Sequence, residues 1–232
     1  GIAKGSGMIH PNMATMLLFM TTDAKVEPAA LQKALSTVVP ATFNQISVDG
    51  DTSTNDTLAI MANGEAENEE ITEENEAYKT FLEALTAVCR KLSMMMAGDG
   101  EGATKLLICK TTGAKDWETA KTVAKSVICS SLLKAAMFGE DANWGRVLCA
   151  IGYAGADVDV SKVDVNFRSN RGLIPVCRGG AGVAFSEETA KEILMDDEIT
   201  VQVALNSGSA TAKAWGCDLT YDYVKINGDY RT

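Results

Sequence analysis

The sequence predicts an α+β fold (an irregular α/β arrangement) in which mixed sheets are flanked by helices. Short apolar runs of strand length recur throughout the 232 residues, and amphipathic segments with a 3.6-residue period separate some of them. The two kinds of segment do not alternate with the regular strand–helix–strand rhythm of a doubly wound parallel sheet. We therefore expect the strands to form mixed sheets.

Strands are predicted where apolar residues run together or alternate between turn-forming positions. The clearest alternation lies near the end of the chain, where Ile199, Val201 and Val203 fall on one face. In chain order, the predicted strands cover residues 15–21, 46–48, 58–62, 105–110, 163–167, 173–176, 182–185, 199–205 and 210–217.

Helices are predicted from apolar stripes and from residues typical of helix starts. Pro28 suits an early helical position because its missing N–H has no intrahelical partner there, and Asp141 or Asn143 is a typical N-cap. The stripe from Tyr78 to Met95 keeps a 3.6-residue period. The predicted helices cover residues 27–39, 78–97, 117–139, 143–155 and 186–195, and residues 219–226 predict a short helix or strand.

Charge and composition argue against several classes of partner. The chain carries 21 Lys and Arg against 31 Asp and Glu, a net charge of -10, whereas nucleic acids and anionic membranes bind positive surfaces. There is no signal peptide and no apolar run of membrane-spanning length, so we expect a cytoplasmic protein without a membrane partner. The six cysteines form no C-x-x-C pair and mostly lie in apolar runs, which predicts buried, reduced thiols. The sequence has no His/Cys cluster, so no metal site is expected.

A candidate nucleophile lies where a flexible segment meets the first long strand. Breaking the Ala14–Thr15 peptide bond would place a hydroxyl nucleophile and a free α-amine, a potential general base, on Thr15. The local pattern alone favours a simple turn entering a strand. However, His10 is the only histidine, so a Ser-His-Asp or Cys-His arrangement can be built only if His10 supplies it. An N-terminal amine is one of the few bases that remain.

A glycine-rich segment at residues 98–103 carries one carboxylate, Glu101. The segment can be forced into a dinucleotide-binding pattern, but a helix precedes it and a strand follows it, which is the reverse of the required order. A phosphate-binding loop is excluded because Lys105 is followed by Leu106. We therefore expect a flexible loop in which Glu101 either faces solvent or lies close to a ligand.

Four longer blocks resemble the ornithine acetyltransferase family, the bifunctional glutamate N-acetyltransferase/amino-acid acetyltransferase enzymes of arginine biosynthesis. They follow the family order along essentially the whole chain, and each is more specific than a short glycine motif. The blocks are residues 4–17, Asp49-Gly50-Asp51-Thr52-Ser53-Thr54-Asn55-Asp56-Thr57, Asn143-Trp144-Gly145-Arg146, and residues 214–227 with the terminal Tyr230-Arg231-Thr232. The resemblance implies the architecture of the self-cleaving aminopeptidases and ornithine acetyltransferases.

The resemblance also implies how the chain is organised. A precursor would cleave itself between Ala14 and Thr15, so that residues 1–14 are the C-terminal tail of an α chain and residues 15–232 are the β chain. Within the β chain, residues 15–112 and 114–232 could form two subdomains. The sequence begins with Gly1 instead of Met, from which we expect a piece of a longer or processed product. The expected partner is the protein's own α chain, in a heterotetramer of two α and two β chains.

The implied activity is acetyl transfer from N2-acetyl-L-ornithine to L-glutamate through an acetyl-Thr15 ester, in a ping-pong mechanism. No cofactor is implied; some family members also accept acetyl-CoA as a co-substrate, and the sequence leaves this open. An ammonium such as that of Lys4 suits a substrate carboxylate, and the Glu101 carboxylate suits a substrate ammonium group. The implied substrate contacts are Lys4, Thr15, Glu101, Asn227 and Thr232, while the oxyanion hole would lie in the α chain.

Two alternative functions stay open on the sequence. The first is an N-terminal-threonine aminopeptidase or amidohydrolase of the same architecture, which would release its acyl group to water. The second is a non-catalytic acidic binding module in which Thr15 merely begins a strand. Dependence of deacetylation on glutamate separates the transferase from the hydrolase. An intact Ala14–Thr15 bond in the mature protein, without an acetylated intermediate, would support the binding module.

Overall fold

The computed structural model describes residues 1–13, 15–73 and 75–230, and its architecture is α+β, as predicted. Within the described residues, the strands form two sheets and the helices pack against both. The strands are β1 (Ile2–Lys4), β2 (Leu17–Thr22), β3 (Ile46–Ser47), β4 (Thr57–Ala62), β5 (Leu106–Ala114), β6 (Asp164–Ser169), β7 (Gly172–Arg178), β8 (Ala181–Gly182), β9 (Glu198–Ala204) and β10 (Ala210–Cys217). The helices are α1 (Pro28–Val38), α2 (Glu76–Gly98), α3 (Trp117–Cys129), α4 (Ser131–Phe138), α5 (Trp144–Gly152), α6 (Glu187–Leu194) and α7 (Tyr221–Gly228).

The smaller sheet has the strand order β1-β2-β4. β1 runs antiparallel to β2 and pairs Lys4 with Leu17, whereas β4 runs parallel to β2. Leu18 and Met20 of β2 are buried in an apolar cluster with residues of α1 and α2. Because side chains alternate along a strand, Leu17 and Phe19 lie on the opposite face, which is exposed.

The larger sheet has the order β3-β10-β5-β9-β6-β7-β8, and its two faces contribute to different cores. Leu107 and Cys109 of β5 pack in the main apolar cluster with residues of α3, α4, α5 and α6. Ile108, on the opposite face of the same strand, joins Trp215 in the cluster that contains α1, α2 and the inner face of the smaller sheet. Helix α2 therefore packs against both sheets and joins them into one structure.

Two predicted elements differ from the structure. The predicted helix over residues 117–139 is two helices, because Ser130 has an extended backbone and its hydroxyl caps α4 by accepting the Leu133 N–H at 3.3 Å. The strand predicted over residues 182–185 is displaced, since β8 covers Ala181–Gly182. At Ser130, a single capping residue outweighs the apolar pattern from which one long helix was predicted.

Capping residues fix the starts of the later helices. Asn143, the second of the two predicted candidates, caps α5 by accepting the Arg146 N–H at 3.2 Å. Thr220 caps α7 by accepting the Tyr223 N–H at 3.2 Å, so residues 219–226 form mainly a helix. Strand β5 crosses the point between residues 112 and 114, and the division into two subdomains there stays a prediction.

The cysteines mostly match the predicted buried thiols. All six lie in the described part of the chain and are free; Cys129 is half-buried, Cys149 is exposed, and the other four are buried. Among the helices of residues 1–13, 15–73 and 75–230, none is both long and apolar enough to cross a membrane.

Candidate active site around Thr15

The junction segment between β1 and β2, described at residues 5–13 and 15–16, is held by the loop that follows β3. The Asp49 carboxylate accepts the backbone N–H groups of Met8 at 2.8 Å and Ile9 at 3.1 Å. The Val48 N–H donates to the Ile9 carbonyl at 2.7 Å. Met8 has φ 54°, a left-handed conformation that is unfavourable for a residue with a side chain. The two N–H bonds to Asp49 hold this turn in place.

Carboxylates of the loop after β3 also act on the C-terminal helix. Burial, together with the charges of Asp49 and Asp51, raises the pKa of Tyr223 on α7 to about 12. Tyr223 is therefore neutral at any physiological pH. Asp49 thus binds the backbone of the junction segment and also influences a side chain of α7.

Thr15 is half-buried just before β2. Its hydroxyl donates a hydrogen bond to the Ser53 hydroxyl and lies 3.8 Å from the Met8 sulfur. Ser53 is buried, and its oxygen also accepts the Asn55 N–H at 3.1 Å. The position of Ser53 is therefore fixed by its own turn, and Ser53 in turn orients the Thr15 hydroxyl. An oriented hydroxyl beside a hydrogen-bond acceptor is one requirement of a nucleophile.

Glu101 contacts both Asn227 and the junction segment. The Asn227 side-chain amide donates to Glu101 Oε2 at 2.9 Å, and the Glu101 N–H donates to the Ser6 carbonyl at 3.0 Å. A Cβ atom on Gly7 would lie 2.5 Å from the Glu101 carboxyl atoms. A side chain at position 7 would therefore displace this carboxylate, which lies directly on the backbone of the segment that leads to Thr15.

Lys4 is exposed at the end of β1. It lines a cleft of 810 Å³ between the N-terminal residues and the C-terminal end of α2. The register of β1 and β2 places Lys4 opposite Leu17, two residues after Thr15. Within the described residues, Lys4 forms no hydrogen bond or ion pair with the other predicted site residues, so its charge is available to a ligand.

His10 belongs to a second cleft, of 540 Å³, beside α3. Its Nδ1 lies 3.1 Å from Ser47 Oγ and 3.5 Å from Cys129 Sγ. Burial and the nearby Lys125 ammonium lower the pKa of His10 to about 4, against the opposing effect of two carboxylates. A neutral imidazole of such low basicity is a weak general base. The Cys–His pair that His10 supplies therefore does not make Cys129 a strong competitor of Thr15.

Comparison with known proteins identifies the family. The ArgJ family profile matches residues 1–232. The chain belongs to the ArgJ family. It is 55% identical over 231 residues to "Arginine biosynthesis bifunctional protein ArgJ 1" of Clostridium acetobutylicum and 54% identical over 232 residues to "Arginine biosynthesis bifunctional protein ArgJ" of Caldanaerobacter subterraneus subsp. tengcongensis. Both alignments cover 100% of this chain but 57% and 58% of the relatives. The chain thus spans little more than half the length of these relatives.

A solved structure confirms the fold of this ArgJ-family chain. The crystal structure of the arginine biosynthesis bifunctional protein argJ from Bacillus halodurans matches with a TM-score of 0.88 at 47% sequence identity. The match covers 93% of this chain and 100% of that chain. The family resemblance and the predicted mixed sheets with flanking helices are therefore both confirmed.

The structure brings together some of the predicted ArgJ site residues and leaves others apart. Glu101 touches both Asn227 and the junction segment, whereas Lys4 lines its own cleft. Ala14 and Thr232 lie outside the described residues. No group of three or more His, Cys, Asp or Glu side chains suited to a metal occurs within residues 1–13, 15–73 and 75–230.

Three polar residues around Thr15 were not predicted as site residues. Asp49 holds the junction segment, Ser53 hydrogen-bonds Thr15, and Asp56 accepts the Met16 N–H at 3.0 Å. All three lie in the polar run 49–57, which the sequence identified only as a family block. The dense spacing of polar residues after a short strand was the available signal for these three side chains. Their contacts with the segment about 40 positions earlier in the chain are tertiary contacts, which local sequence patterns do not predict.

Proposed function

We propose that this chain, together with the rest of its longer protein, transfers an acetyl group from N2-acetyl-L-ornithine to L-glutamate in arginine biosynthesis. The single observation that carries the proposal is the Thr15 hydroxyl, oriented by buried Ser53 at the end of the segment on which Glu101 lies. The relatives named arginine biosynthesis bifunctional proteins support the same assignment.

The Thr15 nucleophile would be generated by cleavage of the bond to Ala14. The Thr15 hydroxyl oxygen attacks the Ala14 carbonyl carbon, and the C–N bond breaks to give an ester and a free Thr15 amine. Water then hydrolyses the ester, which leaves a carboxylate on Ala14 and restores the hydroxyl.

The transfer would use the same hydroxyl in two half-reactions. Thr15 Oγ1 attacks the acetyl carbonyl of N2-acetyl-L-ornithine while the Thr15 amine accepts the hydroxyl proton and passes it to the departing ornithine nitrogen. The acetyl-Thr15 ester is then attacked by the glutamate amine, which restores Thr15 and releases N-acetylglutamate. Acetyl-CoA would be a second donor to the same hydroxyl, and no other cofactor is needed.

Charged groups near Thr15 suit an amino-acid substrate. The Glu101 carboxylate, held by Asn227, would bind the side-chain ammonium of the donor. The free Lys4 ammonium would bind a substrate carboxylate. We also assign substrate contacts to Asn227 and to Thr232, the latter from the family resemblance alone.

The remaining part of the longer protein would complete the site as an α chain. An exposed apolar patch supports this partner, because the outer face of the smaller sheet carries Ile2, Phe19 and Met61 at 71%, 42% and 59% exposure. Patches of this kind mark interaction surfaces. The oxyanion hole would come from the α chain, and two α and two β chains would form the active assembly.

The decisive experiment measures the intact masses of the chains that the full-length protein yields. We expect a break before Thr15 and, after incubation with N2-acetyl-L-ornithine, a gain of one acetyl group on the chain that begins at Thr15. Thr15→Ala should remain one uncut chain without acetyl transfer, whereas Thr189→Ala, which changes an exposed threonine on α6, should behave like the wild type. Normal transfer by Thr15→Ala would refute the proposal. Acetate release independent of glutamate would indicate a hydrolase.

A further inference from the structure

Asp56 has an unpartnered oxygen next to Thr15. Its Oδ1 accepts the Met16 N–H at 3.0 Å, whereas its Oδ2 is buried and has no hydrogen-bond partner among residues 1–13, 15–73 and 75–230. Burial raises the pKa of the Asp56 carboxyl group, and the hydrogen bond from Met16 opposes this shift. A buried carboxylate oxygen without a hydrogen-bond donor destabilises the folded protein. The arrangement therefore favours a hydrogen-bond donor that becomes available after the chain has folded.

The backbone around Asp56 fixes where that donor can be. Thr57 N–H donates to the Met16 carbonyl at 2.9 Å, and β2 and β4 continue in register from Leu17 opposite Thr57. Asp56 is therefore fixed beside Met16 by bonds in both directions. The nitrogen of Thr15 is only three covalent bonds before the Met16 nitrogen that Asp56 already binds. Cleavage would give this nitrogen new N–H groups.

We propose that Asp56 is the positioning residue for the α-amine of Thr15, binding through Oδ2 the N–H groups that cleavage creates. This inference depends on the cleavage and transfer proposed above. An amine held in this way directs its lone pair away from Asp56 and can accept the proton of the Thr15 hydroxyl as the oxygen attacks the acetyl carbonyl. The resulting ammonium is stabilised by the carboxylate until its proton moves to the departing amine. Ser53 contacts the same hydroxyl through its own oxygen.

The proposal predicts a pH signature of its own. A carboxylate beside an amine favours the protonated amine, typically by about one pKa unit or more. Removing the charge of Asp56 should therefore lower the pKa of the Thr15 amine and shift the acidic limb of the kcat profile to lower pH. Other ionisable side chains on the elements around Thr15 include His10 in the junction segment, Lys4 on β1, Asp49 and Asp51 after β3, Glu101 after α2 and Tyr223 on α7.

The test uses Asp56→Asn, because the amide oxygen can still accept the Met16 N–H while Oδ2 is replaced by a donor. The two chains are co-expressed with a Met before Thr15 that host aminopeptidase removes, so the amine forms whether or not self-cleavage occurs. We expect kcat to fall about tenfold to a hundredfold with KM within about twofold. NMR titration of nitrogen-labelled Thr15 should show an amine pKa about one unit lower than in the wild type.

Two controls separate the possible outcomes. Asp116→Asn makes the same change in another carboxylate that accepts a backbone N–H, from Thr119 at 2.7 Å, and should leave both kcat and the amine pKa unchanged. Asp56→Glu keeps the negative charge and should therefore lower the pKa of the Thr15 amine by less than Asp56→Asn does. If the wild type transfers acetyl groups and Asp56→Asn has the wild-type kcat and amine pKa, the role of Asp56 is refuted. If the wild type forms no acetyl-Thr15, the proposed function itself fails.

Discussion

At the scale of single residues, His10 shows how burial limits an ionisable group. Its ring is half-buried between Ser47 and Cys129, and its pKa is lowered from 6.5 to about 4 by burial and by Lys125. The unfolded chain therefore binds more protons than the folded chain between about pH 6.5 and pH 4. The stability that depends on the neutral ring is fully present above pH 6.5, the pKa of histidine in the unfolded chain. This stability is lost as the pH falls towards about 4, the pKa of His10 in the folded chain.

His10→Asn should reduce this acid sensitivity. The asparagine oxygen can replace Nδ1 as an acceptor without titrating. We expect the loss of unfolding free energy between pH 7 and pH 4 to be about 1 to 2 kcal/mol smaller in the variant, after allowing for solvent screening of a half-buried group. Urea unfolding of the full-length protein at the two pH values measures it. Equal acid sensitivity of both proteins would contradict the neutral, buried His10.

At the scale of elements, the loop after α2 is shaped by its glycines. A Cβ on Gly100 would lie 2.9 Å from Val48 Cγ1 and from Cys217 Sγ. Gly102 has φ +67°, and a Cβ there would lie 2.6 Å from the Tyr223 backbone nitrogen. These glycines thus let the loop pack against β10 and the start of α7. The sequence suggested that they allow close approach of a ligand, whereas in the structure they allow close approach of the chain itself.

Gly102→Ala should displace α7 and loosen the Asn227–Glu101 contact. Gly155→Ala is the matched control, because Gly155 has φ +73° but no atoms within 4 Å of an added Cβ. We expect the control to lose about 1 kcal/mol of unfolding free energy from backbone strain alone, and Gly102→Ala to lose more than about 2 kcal/mol. Denaturant unfolding measures both, and KM for N2-acetyl-L-ornithine should rise only in Gly102→Ala. Equal losses in the two variants would argue against the close contact with α7.

The elements themselves could largely be predicted from local patterns. The 3.6-residue stripe of α2, the Asn143 cap of α5 and the alternation of β9 depend on neighbouring residues. The strand order could not be predicted in this way, because the pairing of β3 with β10 joins residues far apart in the chain. The break at Ser130 shows that one capping side chain can divide an otherwise continuous apolar pattern.

The candidate site could be predicted only where a motif marked it. The family resemblance pointed to Thr15, Glu101 and Asn227, and the structure places the last two in contact. Ser53 and Asp56 carried no signal of their own, since a serine and an aspartate in a polar run are typical of any loop. Their roles appear only when β4 pairs with β2 and brings the run beside Thr15.

At the scale of the whole molecule, the layers leave one apolar surface uncovered. The helices α3 and α6 pack on one face of the larger sheet, α2 lies between the two sheets, and α1 packs with α2 against the inner face of the smaller sheet. The outer face of the smaller sheet carries no helix within the described residues. This face begins with β1 and contains Leu17, so a partner that covers it would also lie close to Thr15.

Phe19→Lys should therefore separate this chain from the proposed α chain without unfolding it. Phe19 lies on the outer face, opposite buried Leu18, and an unpaired ammonium buried there would weaken association by several kcal/mol. Leu173→Lys, at an exposed position on β7, is the matched control and should keep the assembly. Native mass spectrometry of the full-length protein should show two α and two β chains for the wild type and the control, and free β chain for Phe19→Lys. A wild-type assembly formed by Phe19→Lys would place the α chain on another surface, because no interface that buries this face could tolerate the unpaired charge.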